Sequence, residues 1–148
     1  MNTHPYLRAY LSGILIPTFI LPIFLAVFIV LRLWLRAPIP IEQGLVFPMA
    51  LVPVAWGLWN MLWLVTHPHT GHSIGLHGAV LPLLLAPIGA WLAAHLGVLE
   101  LLPWGLHWFN AVFVPYVLIA PFFFAALVAY YLVWKYIVGF VNRVLGIA

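Results

Sequence analysis

Four imidazoles fall within eleven positions of this chain, at His67, His69, His72 and His77. Neutral imidazole is the commonest protein ligand for Zn, Cu and Ni, so this stretch is the place to expect a Zn or Cu site. The spacing matches none of the zinc signatures, and no carboxylate or thiolate lies beside it in sequence. The competing reading is a polar loop in which His, Thr, Ser and Gly meet water and lipid headgroups. A haem variant rests on His77 and His95, eighteen residues or five helical turns apart on one helix face. His67 or His72 would partner the first and His107 the second, as in bundles that hold haem between facing helices. Haem propionates favour basic partners, and Arg is sparse near these histidines, which weighs against haem.

Other chemistry is narrower still. The chain has no Cys, which removes disulfides and thiolate ligands. It has no Asp, so a Ser-His-Asp set is ruled out, and no Gly-rich phosphate loop is present. The two carboxylates, Glu42 and Glu100, fall between the apolar runs. A proton- or cation-coupled carrier usually places an acid within the membrane, and this chain lacks one there. These residues therefore predict a non-enzymatic protein.

Trp56, Trp59, Asn60, Trp63 and His67 recur at three-and-four spacing and form one stripe along a helix. The stripe either stacks a flat apolar ligand, with Asn60 supplying a hydrogen bond, or packs against a neighbouring helix with Asn60 bonded across the interface. Arg32 and Arg36 stand one turn apart at the end of the first run. They are placed to grip a lipid phosphate with Glu42 beside them, or simply to snorkel to the interface.

The elements that must position these residues follow from composition. Of 148 residues, 67% are hydrophobic and 5% charged, too few polar groups to clothe a water-soluble fold. The five cations against two acids are scattered, which gives no nucleic-acid footprint. The run after Arg8 exceeds the roughly 7–15 residues of a signal core and carries no cleavage pattern, so it reads as a retained first span.

About 20 apolar residues cross the hydrocarbon core, and four runs qualify: Leu11–Leu35, Leu45–Val65, Leu76–Leu99 and Asn110–Trp134. Without water each must satisfy its own backbone, which makes it a helix. The expected fold is therefore all-α, a multi-pass integral membrane protein with one transmembrane domain over residues 1–148, built as a four-helix bundle. Residues 135–148 either extend the fourth helix or lie on the surface. Short breaks make neighbouring helices antiparallel and put both termini on one side with the histidine loop. Trp34, Trp91, Trp104 and Trp108 form one aromatic belt, and Tyr6, Tyr10, Trp63, Tyr130, Tyr131, Trp134 and Tyr136 the other. Arg8, Lys135 and Arg143 on the terminal side outnumber Arg32 and Arg36 opposite, which favours cytoplasmic termini.

One phrase repeats near the start of each span: Gly13 to Pro17 and Pro22, Gly44 to Pro48 and Pro53, Gly78 to Pro82 and Pro87, Ala111 to Pro115 and Pro121. A small residue stands four before the first proline each time, where the proline ring presses on the preceding turn and where a neighbouring helix can approach closely. The second prolines, Pro22, Pro53, Pro87 and Pro121, fall at mid-span and are expected to kink the helices around a central cavity. The leading expectation is a kinked bundle that binds or passes a small apolar or neutral ligand such as a lipid, as a homo-oligomer or a subunit of a membrane complex. A metal- or haem-binding protein using the histidine loop, and a purely accessory subunit, are the alternatives.

Overall fold

The computed structural model describes residues 4–36, 42 and 47–147. Gly44 and the expected start of the second span at Leu45 lie outside the described residues. Four helices are long and apolar enough to cross a membrane. The first comprises α1 (Pro5–Ile29) and a π-helical turn over Val30–Trp34. The next two are α2 (Phe47–Thr70) and α3 (Ile74–His95). The fourth is α4 (Tyr116–Leu132), a second π-helical segment (Val133–Val138) and α5 (Gly139–Val144), one rod of 29 residues. At 1.5 Å per residue that rod is about 43 Å long, well beyond the hydrocarbon thickness. Residues 135–144 thus extend the fourth helix rather than turning aside.

The helix ends are set by local chemistry. Pro5 opens α1 at a position where its missing N–H costs nothing. Ser73 caps α3, its hydroxyl accepting from the Leu76 N–H at 3.3 Å. Gly97, at φ +70°, closes the same helix. There the Val98 N–H reaches the Ala93 carbonyl at 2.8 Å and the Gly97 N–H reaches Ala94 at 3.1 Å. Gly146, at φ +66°, closes α5 with the same pair of bonds, Ile147 to Asn142 and Gly146 to Arg143.

Several boundaries differ from the sequence reading. Helix α2 runs on to Thr70, through His67, Pro68 and His69, so of the four histidines only His72 lies between the helices. Only residues 71–73 link α2 to α3, with Gly71 at φ +63°. Polar residues mark where hydrocarbon ends, not where a helix must end, since the last turns can satisfy themselves with water. Thr66 and Thr70 add bonds to the carbonyls one turn back, Leu62 and Thr66, at 2.9 and 3.0 Å.

The larger difference lies between α3 and α4, where the fold is not all-α. β1 (Leu99–Leu102), β2 (Gly105–Trp108) and β3 (Val112–Pro115) form an antiparallel three-stranded sheet in that order. The fourth helix begins at Tyr116, not Asn110, because Asn110 sits in the β2–β3 turn and Val112–Pro115 pairs with β2. The fourth proline phrase, Ala111 to Pro115, is consequently turn and strand.

Glycines set the helix packing. A side chain at Gly13 would come within 2.5 Å of the Trp56 carbonyl and 2.9 Å of the Gly57 Cα, so α1 and α2 cross almost backbone to backbone. Gly78 of α3 lies directly under the Trp134 ring, and Gly75 against Tyr131. The buried centre is Trp56, Leu81, Trp134 and Val138. Small residues in helices thus serve close approach, as the repeated Gly position predicted for the first and third spans.

Candidate functional site

A cleft of about 300 Å³ opens between α1, α2 and the fourth helix. Pro17, Ile20 and Phe24 wall it on one side, Met49 and Trp56 on another, and Tyr130 on the third. It begins one turn beyond the Gly13–Gly57 crossing. There the α1 side chains grow large again and hold the helices apart. Trp56 is fixed by its neighbours, 5.1 Å from the Tyr130 ring and 5.3 Å from the Trp134 ring between centroids. Apart from the indole and phenol, the lining is hydrocarbon. The site suits an apolar body and offers at most one polar contact, from Tyr130, because the Trp56 indole nitrogen is itself buried.

The mid-span prolines stand apart from this cleft. Pro22, Pro53, Pro87 and Pro121 all lie inside continuous helices, but none lines this cleft. Pro17, the first proline of its phrase, does. A proline reports a local backbone constraint and carries no information about which helix face meets a cavity, whereas the glycine crossing decides where the helices touch and where a gap remains.

The tryptophan stripe divides three ways. Trp56 enters the apolar cleft, while Trp59 and Trp63 border a second, shallower cleft of about 380 Å³ with Thr66, Thr70, His72 and His77. Asn60 faces neither. It is 0% exposed, and its Nδ2 donates to the Ala9 carbonyl at 2.8 Å and to Asn142 Oδ1 at 2.9 Å. Asn142 Nδ2 returns a bond to Asn60 Oδ1 at 3.1 Å. The amide pair ties α1, α2 and α5 at one point, so Asn60 bonds across a helix interface and has no donor left for a ligand. Its partner Asn142 was not legible as such. The two are 82 residues apart, and Asn142 read as an interfacial residue.

The histidines are spread over α2, the link and α3. His67 stacks on Trp63 at 4.7 Å and its Nδ1 lies 3.1 Å from the His72 carbonyl, which it reaches as a donor. His77 stacks on Trp59 at 4.6 Å, with Nε2 3.0 Å from the Trp59 carbonyl. His69 and His72 are exposed. Among the described residues no three His, Asp or Glu side chains come together to hold a metal ion. For the haem arrangement, His95 stacks on Trp91 of its own helix and His107 sits in β2 against Phe113, so these two are engaged by neighbouring aromatic rings.

Arg32 pairs with Glu42, Nε to Oε1 at 3.2 Å, which brings together two of the three residues expected at a headgroup site. Arg36 takes φ +48° just past the helix end and is exposed. Tyr130 is the cleft residue whose role the sequence missed. It read only as part of an aromatic belt, because its approach to Trp56 depends on packing between helices far apart in the chain. No protein family, no curated protein and no solved structure matches this chain.

Proposed function

We propose that the chain is a multi-pass membrane protein that holds the hydrocarbon part of a lipid in the cleft between α1, α2 and the fourth helix. The observation that carries this reading is the cleft itself, about 300 Å³ with walls mainly of Ile, Leu, Pro, Phe, Met and Val, an indole face from Trp56 and only Tyr130 as a polar handle. An apolar groove among helices with an aromatic floor favours a flexible hydrocarbon tail, which fills it by dispersion contact and needs few hydrogen bonds. The Tyr130 phenol orients the end of the ligand that is not hydrocarbon. In this reading both termini face the cytoplasm, following the three-to-two excess of Arg8, Lys135 and Arg143 over Arg32 and Arg36.

Cleft filling tests the reading. Ile20→Trp places a large ring where the cleft is, while Ile88→Trp adds the same ring at an exposed site on α3 away from the cleft. Lipid retained through detergent purification is then counted by native mass spectrometry. The expected result is a bound lipid on the parent and on Ile88→Trp that is lost from Ile20→Trp. Equal retention by all three, or none on the parent in lipid-supplemented micelles, overturns it.

A further inference from the structure

The sheet between α3 and α4 places both of its polar side chains on one face. Cross-strand partners share a face, and the register pairs Leu99 with Trp108, Leu101 with Leu106, Leu106 with Val114 and Trp108 with Val112. That face is apolar throughout. The opposite face carries Glu100 opposite His107, together with Leu102, Gly105, Phe113 and Pro115, so both polar groups of the sheet lie on this side. Leu101 is 65% exposed, Val112 53% and Trp108 38%, whereas Leu99 is buried, so part of the apolar face is left uncovered by the rest of the chain. At the β1–β2 turn Trp104 is 82% exposed.

Connectivity fixes where such a sheet sits. β1 starts three residues after α3 ends, and β3 runs directly into α4 at Tyr116. Three residues reach about 10 Å, so the sheet cannot leave the level at which those two helices end. Four-residue strands reach about 13 Å, too short to cross about 30 Å of hydrocarbon. Among the described residues β1 and β3 each have β2 as their single strand neighbour. Their outer edges therefore need water or headgroups and exclude the hydrocarbon centre. A two-faced sheet held at the end of two apolar helices, with an exposed Trp at its tip, meets all of these constraints in one place.

We propose that Leu99–Pro115 is an amphipathic sheet that lies in the lipid headgroup layer. Its apolar face, with Leu101, Trp108 and Val112, rests on the acyl boundary, and Glu100 and His107 face water. The partner is a lipid surface, and the proposal rests on the membrane reading above. The sheet acts as a float that fixes the depth of the α3–α4 end, at the opposite end of the bundle from the termini.

The chain has no native Cys, which allows single nitroxide labels to be placed without background. Leu101→Cys and Val112→Cys report on the apolar face, Glu100→Cys on the polar face, and Phe122→Cys, 71% exposed within α4, on the span. In phosphatidylcholine–phosphatidylglycerol vesicles, collision with oxygen is compared with collision with a water-soluble nickel chelate. Expected are labels at 101 and 112 with an oxygen-to-nickel ratio several-fold above that at 100 and approaching that at 122. Labels at 101 and 112 as nickel-accessible as the one at 100, with 122 still in lipid, overturn the sheet proposal alone. So do labels at 101 and 112 shielded from both reagents, which is the sign of a second protein surface. A nickel-accessible label at 122 overturns the membrane reading instead. Trp104→Phe gives a measurement that needs no label: it should remove a measurable share of the fluorescence quenching by lipids brominated near the headgroup, and unchanged quenching counts against the proposal.

Discussion

Trp59 on α2 and His77 on α3 exchange two hydrogen bonds across stacked rings. The Trp59 indole donates to the His77 carbonyl at 2.8 Å, and His77 Nε2 donates to the Trp59 carbonyl at 3.0 Å. Donation through Nε2 leaves Nδ1 as the acceptor nitrogen of the neutral ring. The pair joins two helices that are otherwise connected by a short link, and it turns the last histidine of the expected metal segment into a helix clamp. His77→Phe keeps the stacked ring and the bond to the backbone carbonyl, and removes one interhelical bond at a cost of about 0.6–1.7 kcal/mol. His77→Ala also loses the ring contact, for a total of about 1–3 kcal/mol. Unfolding in mixed micelles should rank Ala below Phe below the parent. Equal losses in the two variants would show that the stacking contributes nothing.

The Asn60–Asn142 pair lends itself to a double-mutant cycle, because both side chains are 0% exposed and each answers the other. Asn60→Leu leaves the Asn142 amide buried without its partner and should cost about 1–3 kcal/mol, and Asn142→Leu likewise. Replacing both removes the unpaired amide altogether. The double variant should then cost clearly less than the two single losses added, with a coupling of about 1–2 kcal/mol by chemical or thermal unfolding. Additive losses would mean that the amides act independently.

Gly13 and Gly89 make opposite predictions from the same substitution. A methyl group at Gly13 meets the Trp56 carbonyl and the Gly57 Cα, both backbone atoms, so the helices must separate. Gly13→Ala should destabilise by about 1–3 kcal/mol, as overpacking does. At Gly89 nothing lies within 4 Å of the added atom. Gly89→Ala should be neutral or stabilising by up to about 1 kcal/mol, from helix propensity alone. Thermal midpoints of the two variants measured side by side would decide this.

The four long helices were legible because hydrocarbon thickness dictates both run length and composition, and the residues between Leu11 and Trp134 record it directly. Their ends were less so. Nothing in Thr66–Thr70 or in Lys135–Val144 forbids continuation once the chain reaches water, and in both places the helix continues. The glycine positions were legible as close-approach sites at Gly13 and Gly78, since a missing side chain has few other uses in a span. The lining of the cleft was not legible, because periodicity places residues on a face but does not say which face meets a gap. The Asn60 bond could be read from one end only, its partner being chosen by tertiary packing.

The sheet escaped the sequence reading because its β2–β3 turn carries the wrong letters. Phe109 and Asn110 both take the left-handed region, at φ +56° and +54°, and the Ala111 N–H closes the turn on the Trp108 carbonyl at 3.1 Å. That is the geometry in which Asn-Gly is the usual pair, and Phe-Asn gives no such signal. A bulky residue in this region costs about 1–2 kcal/mol, so the Phe109 position is held by its surroundings, including its own N–H donating to the Val98 carbonyl at 2.7 Å. Asn110 is exposed and makes its contribution through backbone conformation alone. Asn110→Gly should therefore leave the sheet intact or tighten it slightly, because glycine accepts this conformation without penalty. Asn110→Val should weaken the turn by about 1–2 kcal/mol, since a β-branched side chain strongly disfavours positive φ. The loss is local: amide exchange in Leu106–Val114 should accelerate in the Val variant while α1 and α2 keep their protection. Faster exchange throughout the bundle would mean that the sheet is a structural keystone rather than an appendage at the end of α3 and α4.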